Sequence, residues 1–207
     1  MSDAGVPVGN TVSTAYFDRY REALAARLAA VRVTRSDGRE IEAAAGFADW
    51  VALSRTAHAA DRGHFFIGNG ASATMASHMA LDCSKNAGLR ALAFNDSASL
   101  TALGNDIGYD GTFSTPLRWH ARSGDVLIAI TSSGRSPNIL TALAAAREIG
   151  LGVVTLTGLY ADNPARRLGD LNFFLPGRTY GVVECAHQVL LHCWLDDYMG
   201  LTEWNPA

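Results

Sequence analysis

The chain has 207 residues, 48% of them hydrophobic and 18% charged, with a net charge of −3. That length supports one α/β domain with a full core and little beyond it. There is no Lys/Arg block, no apolar run of membrane-span length, and no charged-then-apolar leader in the first residues. These absences argue against nucleic-acid, membrane and secretory roles and predict a cytoplasmic protein. The three cysteines, Cys83, Cys185 and Cys193, fall inside predicted helices without zinc-type spacing and read as buried free thiols in a reducing cytoplasm.

Residues 1–11 read as a flexible N-terminus, and residues 12–207 as a single domain. Within it, residues 12–60 form a helical pair and residues 61–207 an α/β core. From Val12 to Val31 the apolar positions Tyr16, Phe17, Tyr20, Leu24, Leu28 and Val31 recur at helical spacing, and Asp37-Gly38 marks the turn that follows. A second helix is predicted from Glu40 to Ala60, with Ile41, Phe47, Trp50 and Val51 on its apolar side. Two such helices ahead of a first strand exceed what a minimal doubly wound sheet needs; they are expected to serve oligomerisation, with packing back on their own domain the alternative.

The first predicted strand, His64–Ile67, runs into Gly68-Asn-Gly-Ala-Ser72 and a helix to Cys83. A second strand spans Leu89–Phe94, followed by Asn95-Asp-Ser97 and a short helix near Leu100. Another helix covers Thr112–Ala121. The third strand, Val126–Ile130, is an unbroken apolar run leading into Thr131-Ser-Ser-Gly-Arg-Ser136, and Pro137 opens a helix that Gly150 closes. Gly152–Thr157 and Leu171–Leu175 supply two more strands, and Gly181–Met199 a last helix. Strands alternating with helices on short connections predict about five parallel strands, doubly wound and covered on both faces. Ligands in such sheets lie beyond the carboxyl ends of the strands, where both Gly/Ser-rich loops and Asn95-Asp96 fall.

The 131–136 loop is the strongest chemical signal. Four hydroxyls around one glycine, at a helix N-terminus, suit an anion: backbone N–H groups and the helix dipole face it, and the hydroxyls can donate to oxygens such as a phosphate's. An ordinary N-capped turn is the simpler alternative. Gly68-Asn-Gly70 lacks the third glycine of a dinucleotide fingerprint, and Ser133-Gly-Arg lacks the lysine and spacing of a P-loop, which disfavours NAD and ATP.

His78 and Asp82 stand one helical turn apart on one face. On the last helix Glu184 and His192 diverge by about 80°, whereas His187 and His192 diverge by about 140°. Two helices can each present one imidazole and one carboxylate, a set suited to Zn²⁺ or another divalent ion, or to acid/base work without metal. Ordinary helix-surface pairing is the competing explanation.

The ordered set Gly68-Asn-Gly-Ala-Ser72, His78-x-x-x-Asp82, Asn95-Asp96, Gly104-Asn-Asp106, Thr131-Ser-Ser-Gly-Arg-Ser136 and Glu184…His192 resembles the SIS (sugar isomerase) family, and within it the phosphoheptose isomerases. That resemblance implies a five-stranded parallel sheet, a homotetramer with sites between subunits, and aldose–ketose isomerisation of a long-chain sugar phosphate. It implies that Thr131, Ser132, Ser133 and Ser136 bind the phosphate, that Asn69, Ser72 and Asp96 contact sugar hydroxyls, and that Glu184 lines the substrate site. His192 and Asp82 would be the catalytic acid/base pair, and a zinc ion, where present, would be held by His78, Asp82, Glu184 and His192.

The chain departs from the family pattern in three places: Asp82 stands where Glu is usual, Glu184 where Gln is usual, and Arg135 where Asn is usual. These changes question the heptose more than the isomerisation and admit an eight-carbon ketose phosphate. A non-catalytic regulator that binds a sugar phosphate is the alternative function.

Overall fold

In a computed structural model of the chain, residues 15–204 are described. The expectations for residues 1–11 and for the first residues of the leading helix lie outside them.

The first helix, α1, spans Tyr16–Ala29 and buries none of its own residues. Its apolar stripe reaches the body of the protein through Leu24, Leu28 and the Tyr20 hydroxyl, 3.8 Å from Cys185 Sγ, leaving Tyr16 and Phe17 69% and 72% exposed. A hairpin follows, β1 (Arg32–Arg35) and β2 (Glu40–Ile41), paired antiparallel with Val33 opposite Ile41. This corrects the expectation that Asp37-Gly38 leads directly into a helix from Glu40. Gly38 has φ +81° and lies within the hairpin turn, a conformation that favours glycine. The second helix, α2, therefore starts later, at Ala43, and ends at Ala59.

The core alternates as expected. It comprises β3 (His64–Gly68), α3 (Ala71–Asn86), β4 (Ala91–Ala93), α4 (Ser97–Asp106), α5 (Ser114–His120), β5 (Val126–Thr131), α6 (Pro137–Ile149), β6 (Gly152–Gly158), β7 (Leu171–Leu175) and α7 (Tyr180–Met199). The strand order is β2-β1-β7-β6-β5-β3-β4. The five core strands are parallel, and β1 adds to β7 antiparallel, with Val33 opposite Phe173. Asn172 fastens this junction: its amide donates to Thr34 O at 3.2 Å and its oxygen accepts from Thr155 Oγ1 at 2.8 Å.

Strands β3, β5 and β7 are buried at every position, as befits strands covered on both faces. One face packs against α2, α3 and α7 through Trp50, Met79 and Trp194; the other packs against α5 and α6 through Leu117 and Ile139. The Trp50 and Trp194 rings are stacked at 4.6 Å, 7° from parallel. Thus α2 packs on its own domain, and α1 is the leading helix with an uncovered apolar side. No helix among the described residues is long and apolar enough to cross a membrane.

Candidate functional site

Strand β5 delivers the hydroxyl-rich loop to the carboxyl edge of the sheet, and Pro137 starts α6 directly after it. Gly134 N–H donates to Thr131 O at 3.1 Å, and Arg135 N–H to Ser133 Oγ at 3.3 Å, closing the loop on itself. Gly134 adopts φ +62°, and a Cβ there would lie 2.0 Å from Asn163 Oδ1. Only glycine allows this approach. Ser136 occupies the N-cap position of α6 without a side-chain cap bond, so its hydroxyl is not spent on the helix. Ser132 Oγ is buried and has no hydrogen-bond partner among the described residues. A buried hydroxyl without a partner is costly unless a ligand satisfies it.

The segment after β6 braces this loop. Leu159 has φ +56°, and Tyr160 N–H donates back to Gly158 O at 2.6 Å. A tight turn centred on a bulky residue at positive φ is strained. It projects Tyr160 and Asp162 toward Arg135, whose guanidinium lies 4.3 Å from the Tyr160 ring centroid and 2.9 Å from Asp162 Oδ1. Arg135 is thus bracketed by neighbours at the loop.

Beside it, β3 ends in Gly68-Asn-Gly70. Gly70, the N-cap of α3, has φ 57° and ψ −125°, and Ser72 is 5% exposed. The amides of Asn69 and Asn138 pair at 2.9 Å, and Tyr109 Oη donates to Asn69 Oδ1 at 3.0 Å. Asn138 and Tyr109 escaped the sequence reading. The Ser136-Pro-Asn138 run offered a cue for the first; nothing marked the second. Asp96 is exposed and caps α4, accepting from Ser99 N–H at 2.9 Å. Bonds from Ser99 hold its carboxyl below the ordinary value.

The second constellation lies down α3. His78 Nε2 is 3.2 Å from Asp82 Oδ2, and the His78 and His192 rings meet edge to face with centroids 5.4 Å apart. Ligand atoms of His78, Asp82 and His192 all fall within 4.8 Å of one another, the group among the described residues suited to a metal ion. Two imidazoles and a carboxylate are a donor set that suits zinc. Glu184 stands outside this group; its charge is felt instead by the Tyr20 phenol on α1. Between Glu184 and His192 on α7 lies Gln188, also unanticipated, whose amide donates to Met79 Sδ at 3.5 Å. An open cavity of about 850 Å³ adjoins the group and is lined by Asp82 and His192. His78 and Asp82 lie about 9 and 15 Å beyond Ser72 along α3, away from the carboxyl edge of the sheet where α3 begins.

A parallel α/β sheet thus carries a hydroxyl-rich loop at one helix N-terminus and an imidazole–carboxylate group on two other helices. A SIS domain model matches residues 19–158, and the chain belongs to the SIS domain family. A phosphoheptose isomerase of Rhodospirillum rubrum is 46% identical over 133 residues, covering 61% of this chain and 70% of that protein. The structure of phosphoheptose isomerase GmhA from Neisseria gonorrhoeae aligns over 90% of this chain and 96% of its own, at 29% identity and a TM-score of 0.77. A phosphoheptose isomerase structure from Francisella tularensis, at 22% identity and a TM-score of 0.78, covers 92% of this chain and all of its own, and shares the fold.

Proposed function

We propose that this protein is an aldose–ketose isomerase acting on a long-chain sugar phosphate of the sedoheptulose 7-phosphate type. The observation that carries the reading is the group His78, Asp82 and His192 on the helices that flank a sheet with a phosphate-suited loop at its edge. In this reading Thr131, Ser132, Ser133 and Ser136 hold the phosphate, with the unpartnered Ser132 Oγ as its most buried donor. Asn69, Ser72, Asp96 and Glu184 contact the sugar.

Asp82 and His192 divide the proton work. One removes the proton from the carbon next to the carbonyl, giving an enediol; the other returns a proton to the neighbouring carbon. Where a divalent ion such as zinc is bound instead, His78, Asp82 and His192 would hold it, and it would polarise the carbonyl and hydroxyl oxygens in place of that acid/base pair. Without the ion, His78 orients the Asp82 carboxylate through the contact at 3.2 Å.

The displacement of the cluster along α3 from the carboxyl edge of the sheet supports a homotetramer with its sites between subunits, in which one copy's loop meets another's cluster. The exposed Tyr16, Phe17, Leu81, Leu92 and Val189 are apolar surface for such contacts. The reaction is tested in D₂O with sedoheptulose 7-phosphate. Deuterium at C2 of the aldose product is expected; binding without turnover, with or without Zn²⁺, would refute the isomerase.

A further inference from the structure

A second cavity, of about 350 Å³, opens between the β1–β2 hairpin and the residues that follow β6. Three guanidiniums line it, those of Arg35, Arg166 and Arg167, against one carboxylate, Asp37. Asp37 already accepts the Arg39 N–H at 2.9 Å, and Arg35 is paired with Asp49 outside the cavity. Arg166 lies over the Phe174 ring at 4.5 Å and donates to Ala161 O at 2.9 Å. Burial, and then the charge of Arg32, hold it below the ordinary guanidinium range, with the Glu40 carboxylate, itself paired with Arg32, opposing. Arg167 is exposed and has no side-chain partner among the described residues. The cavity is therefore short of negative charge, and its volume lies within the small-ligand range.

We propose that this cavity is a second anion site, taking a phosphate monoester through Arg166 and Arg167, distinct from the loop at 131–136. Guanidiniums favour phosphate because their planar forks match its oxygens. The two places are connected. Arg166 holds Ala161 O, and its own N–H donates to Asn163 Oδ1 at 3.0 Å. Asp162 holds Arg135 at 2.9 Å, and Asn163 lies under Gly134. An anion that draws Arg166 outward pulls on the segment that braces the loop, so occupancy raises or lowers the KM for substrate. That coupling rests on the proposed reading of the loop; the binding itself does not.

The experiment is an equilibrium titration of the intact protein with inorganic phosphate. Wild type is expected to bind at two sites per chain. Arg167→Ala should weaken one by at least about tenfold, as expected for losing a charge-assisted bond, with Arg167→Lys weakening it less. The Ser133→Ala/Ser136→Ala double variant should weaken the other. Two unaltered sites in Arg167→Ala, or a single site in wild type that Arg167→Ala leaves untouched, overturns the proposal. Loss on Arg167→Ala alongside an unaffected serine variant leaves it standing and refutes the loop as the phosphate site instead.

Discussion

His78 and His192, on the third and the last helix, turn their imidazoles edge to face at 5.4 Å, with the Asp82 carboxylate 3.2 Å from the first. Elemental analysis after Zn²⁺ loading should find one ion per chain in wild type. Both His78→Ala and His192→Ala should bind it far more weakly. His192→Ala should also lower kcat by about 10²- to 10⁴-fold, the usual contribution of a positioned acid or base. Since both imidazoles lie at the surface of the helix pair, neither change should shift unfolding by more than about 0.5 kcal/mol. Undiminished turnover in His192→Ala would remove it from the mechanism.

The loop's sharp turn depends on Gly134. Alanine there meets Asn163 Oδ1 at 2.0 Å and must hold φ +62°, so the loop has to open. KM for the sugar phosphate should rise at least tenfold, with kcat at saturation changed less. Arg135→Asn, by contrast, removes an exposed ion pair with Asp162 and should leave stability within about 1 kcal/mol. Its effect should appear in the preference between seven- and eight-carbon ketose phosphates; equal ratios in the two proteins would strip Arg135 of a role in selectivity.

Trp50 and Trp194 are both fully buried and stacked, joining α2 to α7 over the sheet. Trp50→Ala should destabilise the protein by about 3–5 kcal/mol, through lost burial and the cavity left behind. Denaturant unfolding measures it directly, and a loss under about 1 kcal/mol would mean that α2 is not part of the cooperative core.

Two buried imidazoles make stability sensitive to acid. Burial pushes His64 and His187 each down to about 4. For His64, the charge of His58 adds to the depression and Asp125 opposes it. His187 donates its Nε2 proton to Thr157 O at 3.2 Å, a bond that opposes the depression. In the unfolded chain such groups titrate near about 6.5. As pH falls, the unfolded state takes up protons first, so the stabilisation is complete above about 6.5 and is lost progressively toward about 4. By pH 5 the loss should be about 2 kcal/mol per imidazole. His64→Phe should flatten part of the slope between pH 7 and 5; an identical slope would assign the acid sensitivity elsewhere.

The parallel core was readable because its signals are local and redundant: apolar runs such as Val126–Ile130, ended by Gly/Ser loops and helix starts. The hairpin was not. Arg32-Val-Thr-Arg35 buries only Val33, so it carries no apolar run, and its strand character comes from docking on β7. The Asp37-Gly38 pair was its one visible cue, and it fits a helix-to-helix turn equally well. At the site, helical spacing brought His78 and Asp82 together correctly. It could not place Glu184, two turns from His192, or reveal Asn138 and Tyr109. Those depend on tertiary approach between elements far apart in the chain.

The pairing of Val33 with Phe173 also sets an order of events during synthesis. At roughly 5–20 residues per second, β1 leaves the ribosome on the order of ten seconds before the strand it docks on. Until then its backbone edge is open, and the nascent chain carries a sheet whose antiparallel end has no seat. Closure across about 140 residues makes this junction the last part of the sheet to form, and a C-terminal truncation ahead of β7 would strand the hairpin permanently.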